Sequence, residues 1–404
     1  MLDMALRELR RTGHAPSLVA ALAYFDVSFM VWVLLGALGP IVAKDLHLSP
    51  AQKGLMVAVP ALGGSAFRLL LGSTVDRIGL KRAGLLGIGC TMIPLAWGAL
   101  AGTTYAQVLG IGALLGIAGG SFAVALPLAS RWYPPEQQGL VLGIAGAGNS
   151  GTIIAALAAP RIAEQVGWHA TFAIAMAPVA IVWALFAVLA KEPPKTNTDG
   201  PSRTALGMLV ETDARWLCAF YLVTFGGFVG LTGYLPIFYV DRFGLTPVSA
   251  AAYAALCAAA GSLLRPVGGA LADRRGGTTV LAVALTFIAA LAALLATRPG
   301  LAPTVVLLFF LVGAFGVGNG AVFQLVGRRY PAEAGPVTGL VGAAGGVGGF
   351  LLVSGFGWLA GATGSFAFGY LFLGVVAATA ALAARNRHRS WRPGVGTGSL
   401  EVAA

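Results

Sequence analysis

Charge is what this sequence has least of. Only 10% of its 404 residues are charged and just 15 are acidic, against roughly a quarter charged in soluble chains. Beside 57% hydrophobic residues, so few charges cannot cover a surface that faces water on all sides, which excludes a soluble globular fold. Cysteine is nearly missing too. Cys90, Cys218 and Cys257 lie in apolar runs at no metal-ligand spacing and read as small buried hydrophobes. The four histidines, His14, His47, His169 and His388, fall in tails or loops, which leaves no deep histidine relay. Alternating short strands of the outer-membrane barrel type are absent. So are a nucleophile–base pair, a metal cluster and a phosphate-binding loop, so an enzyme reading has nothing to rest on, no cofactor is expected, and the chain cannot itself hydrolyse ATP. Residues 146–151 spell G-x-G-x-x-G, but no strand precedes them and no acid follows about 20 residues on, as a dinucleotide site requires.

What the chain has instead is apolar runs of the length that crosses a hydrocarbon core about 30 Å thick. Twelve recur, near 18–41, 54–74, 83–102, 106–129, 139–161, 168–190, 214–240, 249–272, 278–297, 303–326, 336–361 and 365–385. Backbone amides cannot stay unpaired in lipid, so these runs must be helices. The 58 glycines suit helices that pack closely in a membrane. One long polar connection, residues 191–213, carries Pro193, Pro194, Asn197, Asp199 and Pro201, a linker composition. Lysines and arginines crowd the connections on one side, leaving Lys44, Lys53, Arg161, Arg242 and Arg298 on the other. That bias predicts both termini in the cytoplasm, with residues 1–16 a retained tail rather than a cleaved leader. It also assigns the +11 net charge to topology and anionic lipid headgroups, and makes nucleic acid an unexpected partner.

The two halves repeat. Gly64-Ser65-Ala66-Phe67-Arg68 through Asp76-Arg77 aligns with Gly261-Ser262-Leu263-Leu264-Arg265 through Asp273-Arg274, sharing G-S-x-x-R-x-x-x-G-x-x-x-D-R. At the same offset Arg131-Trp132-Tyr133-Pro134 aligns with Arg328-Arg329-Tyr330-Pro331. The expected fold is therefore an all-α membrane protein of twelve transmembrane helices in two pseudo-symmetric six-helix bundles. Residues 1–190 form one bundle, 191–213 a cytoplasmic linker and 214–404 the other.

The repeat also sets two arginines deep in the membrane. Arg68 and Arg265 each precede the motif aspartate by eight residues, roughly 12 Å at the helical rise of 1.5 Å per residue. An arginine at mid-membrane costs about 2.5–3.5 kcal/mol or more, so it should face a cavity and have a role. Asp26 is the one acidic residue well inside a span, so the centre carries an excess of positive charge and favours an anion. Guanidinium forks suit a small planar oxyanion through paired hydrogen bonds. The competing reading is interhelical glue, each arginine taking backbone carbonyls or Asp26. Asn149 either donates to the same anion or hydrogen-bonds a neighbouring helix, worth about 0.6 kcal/mol. Asp26 is either a proton carrier or a static counter-ion.

Gly72-Ser73-Thr74-Val75-Asp76-Arg77-Ile78-Gly79-Leu80-Lys81-Arg82 resembles the loop signature of the major facilitator superfamily, and Asp273-Arg274-Arg275-Gly276-Gly277 its second-half echo. A narrower resemblance is to the nitrate/nitrite porters. Gly143-Ile144-Ala145-Gly146-Ala147-Gly148-Asn149-Ser150-Gly151 is similar to their glycine-rich signature on span five, and Gly342-Ala343-Ala344-Gly345-Gly346-Val347-Gly348-Gly349-Phe350 to its partner on span eleven. Residues 221–230 resemble their span-seven segment. The resemblance implies that Arg68 and Arg265 hold the anion, that Asn149, Tyr221 and Phe225 complete its cage, and that Phe29 supplies the span-one aromatic. It further implies conformational roles for Gly148, Gly151, Gly345 and Gly348, and for Asp76, Arg77, Asp273 and Arg274 at the cytoplasmic ends. One departure is that Leu69-Leu70-Leu71 follows Arg68, where Pro266 follows Arg265.

The sequence thus leads to the expectation of a monomeric, inner-membrane transporter working by alternating access, with nitrate or nitrite, protons and the bilayer as partners. Nitrate/proton symport is the leading mode. The alternatives are nitrate/nitrite exchange, transport of a small carboxylate or phosphate, and a non-transporting anion sensor, for which the short tails offer no appended domain.

Overall fold

The computed structural model describes residues 12–134, 137, 141, 145–194, 204–330 and 333–391, and no strand occurs among them. In the first half, α1 (Ala15–Trp32), α2 (Leu34–Ala37) and α3 (Gly39–Asp45) follow one another in a broken first span. Then come α4 (Pro50–Ile78), α5 (Leu80–Leu100), α6 (Tyr105–Gly119), α7 (Phe122–Ser130), α8 (Gly151–Val166) and α9 (Trp168–Leu189). The second half is α10 (Thr212–Phe243), α11 (Pro247–Arg275), α12 (Gly277–Ala296), α13 (Leu301–Arg329), α14 (Ala334–Thr363) and α15 (Ala367–Ser390). Among the described residues, eleven helical stretches are long and apolar enough to cross a membrane. The remaining expected span, 139–161, differs: a 3-10 turn over Ala147–Ser150 leads into α8, and the glycines on either side explain why the α-helical ladder gives way there.

The duplication is visible in the backbone. Helices α4 and α11 are both 29 residues long, start behind a capping hydroxyl (Ser49, Thr246) with proline in the first turn, and stop at left-handed glycines, Gly79 (φ 85°) and Gly276 (φ 87°). Gly167 and Gly364 form another positive-φ pair at the same sequence offset as Arg68 and Arg265, and His47 and Gly244 a third. Helix α10 is central, with 83% of its apolar window buried, whereas α9 is peripheral with 22%. Side chains such as Leu100, Ile181, Val188, Leu263, Val283 and Val375 stay exposed on the outside of the bundle, as lipid contact requires.

The halves meet along α4 and α14, along α2–α3 and α10, and along α8 and α11. At the end away from Arg77 and Arg274, here the far end, a side chain added at Gly54 would strike the Gly357 backbone, and one at Gly36 the Gly233 carbonyl. Lys53 of α4 also forms an ion pair there with Asp241 of α10 (2.8 Å). Nearer the middle, the Ser65 hydroxyl donates to the Ala343 carbonyl across the same seam (2.7 Å). The far end is closed.

Candidate functional site

Arg68 lies midway along α4 and is 1% exposed. Its Nη1 donates to the Gly342 carbonyl of α14 in the other half (2.5 Å), and its Nη2 to the Gly119 carbonyl of α6 (3.1 Å), while Nε has no partner. The guanidinium carbon stands over three rings: Phe122 at 4.7 Å, Phe225 at 5.6 Å and Trp32 at 5.8 Å. A desolvated cation over aromatic faces gains about 2 kcal/mol from the ring quadrupole, which offsets part of the burial penalty. Trp32 is itself fixed, its indole N–H donating to the Pro60 carbonyl (2.7 Å).

Arg265 sits at the matching place on α11. Its Nη2 donates to the Tyr221 hydroxyl (3.4 Å), its guanidinium stands over Phe323 at 5.1 Å, and its Nη1 is buried without a partner. Tyr221 and Phe225, one turn apart on α10, stack at 4.8 Å with ring planes 7° apart. Arg265 therefore meets one member of this stack and Arg68 the other. Phe323 closes the arrangement, edge-on to Tyr221 at 5.0 Å and against Phe122 at 5.6 Å. The result is a desolvated aromatic box between two cations from opposite halves, with the unpartnered donors Arg68 Nε and Arg265 Nη1.

Asn149 occupies the 3-10 turn before α8, 1% exposed, with its side-chain oxygen unpartnered. The next residue, Ser150, donates to Asp26 Oδ1 of α1 (2.6 Å), so the half-buried Asp26 carboxylate is tied to the turn that carries Asn149. Glycine is needed where α8 crosses α1: a Cβ on Gly151 would overlap the Asp26 carbonyl, and one on Gly148 would meet the Phe25 ring. The second half repeats the device. A Cβ on Gly348 would overlap the Leu222 carbonyl, and one on Gly345 would lie 2.7 Å from both the Tyr221 and Phe225 rings.

Of the residues singled out in the sequence, Arg68, Arg265, Tyr221 and Phe225 come together. Phe29 is fully buried but packs between Phe25 (4.7 Å) and Trp32 (5.2 Å), so Trp32 supplies the α1 ring nearest Arg68. Trp32, Phe122 and Phe323 were not legible beforehand, since an aromatic in an apolar span has no polar mark to distinguish it. At the other end of the helices, Arg77, Asp273 and Arg274 are exposed and make no ion pair among the described residues, and the Asp76 side chain lies outside them. The charged contacts there are different ones. The Glu192 carboxylate accepts the Leu80 and Lys81 amides at the start of α5 (2.7 and 2.9 Å). Asp213 pairs with Arg329 and accepts the Trp391 indole N–H (2.8 Å).

Comparison with known proteins agrees with this architecture. The family described as Major Facilitator Superfamily matches residues 20–353. The chain is 36% identical, over 86% of its length and 88% of the relative's, to a Bacillus subtilis protein named "Nitrite extrusion protein". It is 37% identical, over 84% of its length and 87% of the relative's, to the Mycobacterium tuberculosis "Probable nitrate/nitrite transporter NarK2". A Thermus thermophilus "Probable nitrate/nitrite antiporter NarK1" is 33% identical over 87% of this chain and 86% of its own. Among solved structures, a bacterial homologue of the human lysosomal transporter Spinster, in an inward-facing and occupied conformation, superposes with a TM-score of 0.69. It covers 93% of this chain and 98% of its own at 18% identity, a likeness of fold alone.

Proposed function

The chain belongs to the Major Facilitator Superfamily, among its nitrate/nitrite transporters, and from that premise we propose that Arg68 and Arg265 clamp nitrate or nitrite between the halves. One observation carries the reading. A buried arginine, Arg68, and a partly buried one, Arg265, share one Tyr221–Phe225 stack across the two repeats, and each keeps an unpartnered donor, Arg68 Nε and Arg265 Nη1. A planar monovalent oxyanion takes both donors through its oxygens and lays its face against the rings, and Asn149 completes the cage with its amide. In the arrangement seen, Arg68 also holds the Gly342 carbonyl across the halves. An anion competing for that guanidinium loosens the tie, so that binding and rocking of the halves are coupled.

Asp26 supports proton symport over exchange. Its carboxylate is bonded to Ser150, beside the Asn149 anion ligand, so a proton arriving on Asp26 breaks or reverses a hydrogen bond at the anion cage itself. The charge bias of the connections supports an inner-membrane orientation with both termini in the cytoplasm, and the polar, proline-containing composition of residues 191–213 supports a boundary between bundles there.

Nitrate uptake into proteoliposomes tests the reading, comparing the native chain with Arg68→Lys and Arg265→Lys, with and without an inward proton gradient. Reduced uptake with either lysine at nitrate below the native KM, and stimulation by the gradient, are expected. Uptake that ignores the gradient but requires internal nitrite would select exchange. No flux of either anion under any gradient would remove nitrate and nitrite as substrates.

A further inference from the structure

The far end of the second half holds a cavity of about 160 Å³ that the central clamp does not use. Arg242, at the end of α10, and Arg298, in the connection between α12 and α13, both line it. The starts of α13 and α15 also border it, through Thr304 and the preceding Pro299 at one and Ala367 and its N-cap Phe366 at the other. Helices of 29 and 24 residues thus start at this cavity, and the positive ends of their dipoles add to the two guanidiniums. Arg242 spends one N–H on the Arg298 carbonyl (3.3 Å), which is presented by a left-handed turn at Arg298 (φ 62°). The Arg298 guanidinium has no hydrogen-bond or ion-pair partner among the described residues. A wall of the same cavity is Tyr370, which is 2% exposed and whose hydroxyl is unpartnered. One carboxylate lines the cavity, Asp241, and it is already engaged by Lys53 of the other half.

We propose that this cavity is a second anion site, binding a phosphate-type oxyanion through Arg242 and Arg298. Asp241 lines the site, whereas its partner Lys53 does not. When it is empty, Arg242 and Arg298 compete with Lys53 for Asp241; an anion there neutralises them and leaves Asp241 to Lys53. Anion binding and the far-end bridge therefore stabilise each other, as linkage requires of two events that share one group. The ligand is either free in solution or carried on a lipid headgroup, since the chemistry is the same.

The test uses the purified full-length protein in detergent, with thermal stability titrated against sodium sulfate at constant ionic strength. An Arg265→Lys background weakens the central clamp, and reading only the part of the response that Arg242 and Arg298 control keeps the outcome independent of the nitrate assignment. Saturable stabilisation is expected in that background. It should persist in Arg298→Lys and need about tenfold more sulfate in Arg298→Gln and in Arg242→Gln, a loss typical of one charge-assisted hydrogen bond. A headgroup ligand predicts instead no response to sulfate, but an anionic phospholipid that co-purifies and is lost in Arg298→Gln. Neither signal, or one unchanged in both glutamine variants, overturns the site. Lys53→Gln should weaken sulfate binding severalfold, and unchanged affinity would overturn the link to the bridge.

Discussion

Arg68 and Arg265 occupy the same place in the two repeats and are used differently. Arg68 is 1% exposed, gives two N–H groups to backbone carbonyls, and lies among three rings. Arg265 is only partly buried, touches one hydroxyl and one ring, and keeps Nη1 free. Duplication preserved the cations while the surroundings drifted. The repeat position of Phe122, which covers Arg68, is Asn319 in the second half, and Leu69 stands where Pro266 follows Arg265. The two readings that the sequence left open, anion clamp and interhelical glue, therefore fall unevenly on the pair. In the clamp proposed above, Arg68 carries more of the glue and Arg265 more of the capture.

The widest test of this asymmetry is kinetic. Arg265→Lys should raise the KM for nitrate by about tenfold or more, because an ammonium cannot present the second parallel donor. Arg68→Lys should lower kcat by a similar or larger factor, because it also alters the tie to Gly342 that must break as the halves rock. Equal effects on KM from both would erase the distinction. Stability sharpens it next. Arg68→Met removes two charge-assisted hydrogen bonds and three ring contacts, and a loss of about 2–3 kcal/mol is expected in detergent thermal melts. Arg265→Met removes a partly buried charge that is incompletely paired and should be neutral or mildly stabilising.

Much of the fold was legible because lipid leaves a chain few options. Apolar runs of spanning length have to be helices, and the Gly-Ser-x-x-Arg repeat gave the pseudo-symmetry that Gly79 and Gly276, Gly167 and Gly364 then display in the backbone. His47 illustrates the limit. It holds a left-handed conformation where its repeat partner is Gly244, and nothing in a histidine announces that. The site was half legible. Charged residues in a membrane are costly enough to declare themselves, which is why Arg68, Arg265 and Asp26 stood out. Tyr221 and Phe225 came only through the family resemblance, and Trp32 and Phe122 did not appear at all, because which face of an interrupted helix points inward depends on the break. Phe122 follows the kink at Gly120 and Ser121, and Trp32 ends α1 just before the irregular turn into α2, so helical periodicity cannot be carried through either.

Glycine contacts should break the comparison in the opposite direction, since the backbone is where the halves remain alike. Gly151→Ala forces a methyl into the Asp26 carbonyl and Gly348→Ala one into the Leu222 carbonyl, backbone against backbone in both cases. Each should destabilise by about 1–3 kcal/mol, the usual penalty of overpacking, and by similar amounts in the two repeats. Gly146→Ala and Gly339→Ala serve as controls, because an added Cβ meets nothing within 4 Å at either position. Matched losses for the crossing glycines beside unmatched losses for the arginines would place the divergence in side chains alone. Unequal losses at Gly151 and Gly348 would mean that the packing of the repeats has drifted as well.

The smallest expected effect concerns the entry to each half. Helix α1 is capped by His14, whose Nδ1 accepts the Ser17 amide (3.1 Å), whereas the residue at the same offset, Glu211, heads α10 without a side-chain cap. Partial burial, and then the nearby positive charge of Lys191, hold the His14 imidazole below its ordinary value of 6.5. The folded protein thus binds this proton less readily than the unfolded chain does. The cap's contribution is complete above pH 6.5 and is lost as pH falls from there through the lowered folded-state value. Protonation has a direct structural meaning, since an Nδ1 that carries a proton can no longer accept from Ser17. His14→Asn supplies an acceptor that does not titrate. The difference in melting temperature between the native chain and His14→Asn should therefore widen in favour of asparagine from about pH 7.5 to about pH 5. A difference that stays constant across that range would mean the His14 cap does not titrate, and that the two helix entries differ in sequence without differing in their response to acid.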